Sequence, residues 1–283
     1  MPVAKINGID LHWESNGESG DPLFLIHGSW TDHHGWDGIA PALARSLRVV
    51  TYDRRGHSHS ERPAGQGSIR EDVADLAGLI EHLGWYPAHI LGNSFGGSIA
   101  LRLAVERPDL FRSLLVHEPP LFGVIEHPAT RAALDDLQER VRVVIELLEK
   151  GEMESGARRF METVAFGPGA WEQLPAEIRR SVVFNAPTFL DEQRDPEWPT
   201  IDLQALAKFP APALLTQGDQ SGPFFPLVVE RIAQVLPNSQ RRTLPGMGHV
   251  PQVSHPEQYA LAVAAFIEAV GPRPGESGSL PRR

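Results

Sequence analysis

The chain has no cysteine in its 283 residues. That excludes disulfides, thiolate metal sites and a cysteine nucleophile. It also lacks any apolar run of about 18 residues, the length a membrane-spanning helix needs, so no membrane partner is expected. The opening stretch, "MPVAKINGIDLHW", has no secretory h-region, and a cytoplasmic location is the expectation. Positive charge is scarce: 26 basic against 36 acidic residues give a formal net charge of −10. No Lys/Arg-rich run stands out, which argues against nucleic acid as a partner. Internal repeats are absent too.

What is present suits one large α/β domain, or a core with an inserted subdomain. Composition is 41% hydrophobic and 22% charged, as in ordinary globular proteins. Residues 3–14 alternate around Asn7-Gly8 and predict a hairpin. "PLFLIHG" (22–28) and "LRVVTYD" (47–53) are short apolar runs, as expected of strands buried on both faces. Val73, Leu76, Ala77, Ile80 and Leu83 fall at helical spacing. "AHILGNS" (88–94) predicts a strand, the residues before Pro108 a helix, and "LFRSLLVHE" (110–118) a further strand. This alternation predicts a mostly parallel sheet.

From Pro119 to Phe209 only helical patterns occur, with expected helices over 134–148, 158–166 and 176–190. Strand character returns at "APALLTQGD" (211–219). A helix over 226–236, a strand near "SQRRTLPG" and a last helix over 257–270 follow. The expected division is a core of residues 1–118 and 210–270, a helical cap of 119–209, and a disordered Gly/Pro/Ser-rich tail of 271–283.

Between a strand and a helix stands Gly92-Asn93-Ser94-Phe95-Gly96, a G-x-S-x-G sequence. A sharp strand-to-helix turn strains the serine backbone, and small neighbours avoid a clash between the two elements. The hydroxyl is left at the carboxyl edge of the sheet, where α/β proteins bind ligands. Read blandly, the same residues are a glycine-rich turn with an N-cap serine.

These residues, with "FLIHG", "YDRRGHSHSERP" and "LPGMGHVPQVSHPEQY", resemble the α/β-hydrolase fold superfamily over nearly the whole chain. His57 and His59 stand where the D-x-R-G-x-G-x-S segment varies. The resemblance implies a mostly parallel sheet flanked by helices, with the helical block roofing the pocket. It makes Ser94 the nucleophile and His249 the base. His255 is the nearest rival, but Ser254-His255-Pro256 reads as the first turn of the last helix. The resemblance gives His27 a structural role in the oxyanion loop. His33, His34, His57 and His59 sit in loops and read as solvated or packed.

The third triad member departs from the usual arrangement. Most of the superfamily places an aspartate at the fourth position of G-x-x-D, and here that position holds Ser221. Asp219 comes two places early. Glu118, just beyond the strand after the elbow helix, is the preferred acid, with Asp219 the alternative. Zearalenone lactonases resemble this chain in three places: His117-Glu118 near a proline, "PGM" before and "VSHP" after His249, and no G-x-x-D aspartate. The Gly-Asn-Ser-Phe-Gly elbow departs from them.

By resemblance, the backbone N–H groups of Ser29 and Phe95 form the oxyanion hole. Trp30, Phe122 and Trp198 are candidate pocket residues for an apolar or aromatic small molecule, although such aromatics also glue a cap to a core. The expectation is a serine hydrolase of esters or lactones that needs no metal or organic cofactor. Alternatives are a C–C bond hydrolase of vinylogous diketones and a non-catalytic binder. A haloalkane dehalogenase is disfavoured, because its nucleophile is an aspartate where Ser94 stands. A homodimer is left open.

Overall fold

The computed structural model describes residues 2–126 and 130–271. The tail expected to be disordered therefore lies outside the described residues, apart from Gly271. Eight strands form one sheet: β1 (Val3–Ile6), β2 (Ile9–Asn16), β3 (Asp21–Ile26), β4 (Leu47–Tyr52), β5 (Ala88–Asn93), β6 (Phe111–His117), β7 (Ala213–Gly218) and β8 (Ser239–Leu244). Their order is β1-β2-β4-β3-β5-β6-β7-β8. From β4 to β8 all neighbours are parallel, while β1 and β2 add an antiparallel edge. Asn7 and Gly8 both have positive φ, as a tight two-residue hairpin requires.

Alternation along the buried strands sends side chains to two faces. Phe24, Ile26, Ile90 and Val116 join Ile99 and Leu103 in one core. Leu23, Leu25, Leu91 and Leu115 face the other way, onto Tyr259, Val263 and Phe266. The first face is covered by α1 (Ile69–Leu83) and α2 (Phe95–Glu106). Ser68 and Glu71 close a capping box at the start of α1, and Gly84 ends it in the left-handed region.

Between β6 and β7 the described residues form helices and no strand: chiefly α3 (Arg131–Glu149), α4 (Met153–Phe160) and α5 (Ala176–Arg194). The helix expected over 158–166 begins five residues earlier and becomes a π turn over Met161–Ala165. These helices share their own core, in which Trp30 from the loop after β3 packs with Val144, Trp171 and Phe189. After β7 comes α6 (Phe225–Ala233), and α7 (Pro256–Val270) is the last helix among the described residues. No described helix is long and apolar enough to cross a membrane.

Candidate active site

Four parallel strands end at one edge of the sheet, and the residues following them form the site. Ser94 follows β5 directly, with φ 55° and ψ −125°. Its strain is held by contacts that only glycine permits. A Cβ on Gly92 would lie 2.2 Å from the Gly96 carbonyl oxygen, and one on Gly96 would lie 2.2 Å from that of Ile26. One on Gly28 would lie 3.0 Å from Ser94 Cβ, so the His-Gly after β3 presses against the serine. Gly96→Ala should cost about 3 kcal/mol or more through overpacking against rigid backbone. A urea-unfolding midpoint unchanged from wild type would contradict this contact.

Glu118 follows β6 and is fully buried, also at positive φ. Its Oε2 accepts from His249 Nδ1 at 2.7 Å, and its Oε1 accepts from the Gly218 amide at 2.7 Å. Burial raises its pKa, but the hydrogen bond from His249 and the nearby His117 and His249 outweigh this, and the net shift is downward. A carboxylate accepts only, so His249 carries its proton on Nδ1 and leaves Nε2 as a lone pair.

The loop bearing His249 is fixed in two ways. Asn93 Nδ2 donates to the His249 carbonyl at 2.9 Å, while Asn93 Oδ1 accepts from Gln252 Nε2 at 3.0 Å. On the other side, His117 Nε2 lies 3.2 Å from the Gly248 carbonyl and must donate to it. Phe225 stacks on the His249 ring at 4.5 Å, and Phe122 packs on Phe225. Asn93 thus ties the histidine loop to the residue preceding Ser94. No hydrogen bond joins Ser94 Oγ to His249 among the described residues, and such bonds often tighten only once substrate is bound.

Asp219 stands apart from this group. Its exposed carboxylate accepts from the Gly246 amide at 2.8 Å and from Gln220, clamping the turn after β8. His255 is the residue before α7, with its ring on Ser254.

Around the loop after β3, expected to supply an oxyanion N–H, His27 Nδ1–H donates to the Gly28 carbonyl, and its Nε2 accepts from the Arg54 amide. Burial, aided by the Arg54 charge, lowers its pKa to about 4, so the ring is neutral. Helix α5 reaches down onto this loop. Glu192 accepts from Ser29 Oγ and from Arg54, both at 2.5 Å. Asp32 Oδ2 accepts from Ser58 and from Ser181 of α5. Among the pocket candidates, Trp30 is buried between Phe160 and Phe189. Phe122 is half-buried on Phe224 and Phe225, and half-buried Trp198 lies against Phe95. The Phe95 ring itself is buried beneath Arg54, 4.7 Å away. Of the loop histidines, His33 and His57 are buried, while His34 and His59 keep about half their surface.

Glu192, Asn93 and Gln252 were not singled out by the sequence. Asn93 and Gln252 flank the serine and histidine, a position that could have flagged them. Glu192 sits 163 residues from Ser29, and no local pattern pairs them. Burial raises its pKa to about 7 against the pull of Arg54 and Ser29. A carboxyl raised on folding holds its proton longer in the folded chain. Its contribution is full below about 4.5, the ordinary value, and is lost as pH rises through 7. The thermal-stability advantage of wild type over Glu192→Gln should therefore shrink from pH 5 to 8, by about 3 kcal/mol at most. A constant or growing difference would contradict this.

A mostly parallel sheet with a helical insert, a serine in a strand-to-helix elbow and a histidine–carboxylate pair in the loops after other strands are features of an α/β-hydrolase fold. The chain belongs to the alpha/beta hydrolase family, whose model matches residues 23–263. It is similar to the 2-hydroxymuconate semialdehyde hydrolase of Pseudomonas sp. (strain CF600), at 40% identity over 38% of this chain and 40% of that protein. It is also similar to the soluble epoxide hydrolase of Corynebacterium sp. (strain C12), at 35% identity over 40% and 39%. These matches span about two fifths of either relative. Among solved structures, a thermophilic esterase from Thermogutta terrifontis superposes with a TM-score of 0.78 at 24% identity, over 96% of this chain and all of that one. The enol-lactonase of Burkholderia xenovorans LB400 superposes at 0.72 and 22% identity, over 94% and 100%. At such identities the structural likeness speaks for the fold.

Proposed function

We propose that this hydrolase cleaves a carboxylic ester or lactone of a small apolar or aromatic molecule through an acyl-enzyme on Ser94. The 2.7 Å bond between Glu118 and His249 Nδ1 carries this reading, because it leaves Nε2 free to act as a base beside the elbow. His249 takes the Ser94 proton as Oγ attacks the carbonyl, and Glu118 stabilises the resulting imidazolium. Charge on the carbonyl oxygen is received by the N–H groups of Ser29 and Phe95, each worth about 3 kcal/mol in the transition state. His249 then protonates the leaving alcohol and activates water, which releases the acid. Asp219 is not needed, since its carboxylate is committed to the Gly246 turn.

The reading is supported by the fold shared with an esterase and an enol-lactonase. The likeness to a semialdehyde hydrolase favours one rival, C–C bond hydrolysis of a vinylogous diketone. Parallel assays on p-nitrophenyl esters, lactones and such a diketone test the choice. Turnover of esters or lactones well above the diketone is expected, and the opposite ranking would replace this reading.

A further inference from the structure

Behind the oxyanion loop lies a second cluster that the serine chemistry does not use. His12 of β2, His33 of the turn after the oxyanion loop, and Asp53 and His59 of the loop after β4 each bring one ligand-type atom to within 4.8 Å of all the others. His12 is buried, and neither of its ring nitrogens has a hydrogen-bond partner. His33 Nδ1 lies 2.6 Å from Asp53 Oδ1, and its buried Nε2 has no hydrogen-bond partner. His59 Nδ1 lies 3.1 Å from Asp53 Oδ2. Glu14 Oε1 stands 3.9 Å from His12 Nε2 and 3.8 Å from His33 Nε2.

His12 Nδ1 comes no nearer than 3.5 Å to Asp53 Oδ2, and three buried ring nitrogens without hydrogen bonds are costly unless something occupies the space they face. Imidazole nitrogens with a carboxylate suit borderline divalent transition metals rather than calcium or magnesium, which prefer all-oxygen sites. A tetrahedral zinc with bonds of about 2.0–2.1 Å holds its ligand atoms about 3.4 Å apart, so small side-chain movements would close this cluster on an ion. Asp53 and Glu14 together would balance its charge.

We propose that His12, His33, His59 and Asp53 form a structural site for a zinc-class divalent ion. The site would join β2, the turn that continues the oxyanion loop and the loop after β4. That last loop also holds α5, through the Ser58 amide on Asn185. This site supplies no step of the ester chemistry. It departs from the sequence expectation of no metal, and from reading His33 and His59 as solvated or simply packed.

The test is calorimetric titration of chelator-treated full-length protein with zinc chloride, paired with thermal unfolding and with cobalt(II) absorption as a probe of coordination. One ion per chain is expected, with a higher unfolding temperature and the intense visible bands of four-coordinate cobalt. His59→Ala removes a half-exposed ligand and should leave the fold intact by circular dichroism. It should weaken zinc binding by more than the ~10–100-fold typical of losing an outer-shell partner, and His12→Asn should do the same. His82→Ala, on the exposed end of α1, should bind as wild type does. Absence of saturable binding in the wild type would overturn the proposal and assign the cluster to buried water. Equal binding by folded His59→Ala would also overturn it, by placing the ion elsewhere.

Discussion

Ser94→Ala is expected to lower kcat/KM on an activated ester by about 10⁴–10⁶, the range seen when a triad nucleophile is removed. The loss should appear mainly in kcat. Stability should change little, because the elbow is held by Gly28, Gly92 and Gly96 rather than by the hydroxyl. The Ser94 side chain makes no hydrogen bond among the described residues, so its removal orphans no partner. Residual activity should reflect the oxyanion N–H groups and binding alone. Steady-state kinetics beside urea unfolding measure both parts. Undiminished hydrolysis in a folded variant would remove Ser94 from the chemistry.

Glu118→Gln should have the next largest effect, about a 10⁴-fold fall in kcat with KM nearly unchanged. An amide in place of the carboxylate offers both a donor and an acceptor. It can hold His249 in the wrong tautomer, and it cannot stabilise the imidazolium. The same substitution weakens the bond from the Gly218 amide, currently 2.7 Å to Oε1, so some loss of stability should accompany it. Asp219→Asn is the matched comparison. Its carboxylate is exposed and accepts from Gly246, so kcat should stay within a few fold of wild type, a change below about 1 kcal/mol. A large loss in Asp219→Asn with a small one in Glu118→Gln would transfer the acid to the loop after β7.

The division between what the sequence revealed and what it hid follows contact range. The elbow was legible because its strain, its glycines and its serine lie within five consecutive residues. Strands were legible from period-two and continuous apolar runs, and the mostly parallel character of the sheet from their alternation with helices. Glu118 could be named because a strand end next to β5 must face the same cleft. Other features needed the fold. The buried state of His33 and His57, the grip of Glu192 on Ser29 and Arg54, and the grouping of His12 with Asp53 join segments tens to more than a hundred residues apart. Buried charge is also opaque to pattern reading, since a carboxylate on a helix ordinarily signals a solvated face. For Trp30 the sequence left a pocket role and packing of cap on core as alternatives, and the fold adds that its ring lies between Phe160 and Phe189. The π turn after α4 had no periodic signature to distinguish it from a regular helix.

The central claim is covalent: a nucleophile at position 94, activated by His249 on Glu118. The most direct measurement is peptide-mapped mass spectrometry after reaction with a fluorophosphonate. A single adduct on the peptide containing Ser94, absent in His249→Ala at the same exposure, is the expected result. An unmodified Ser94 in protein that still turns over ester, or an adduct on another residue, would contradict it.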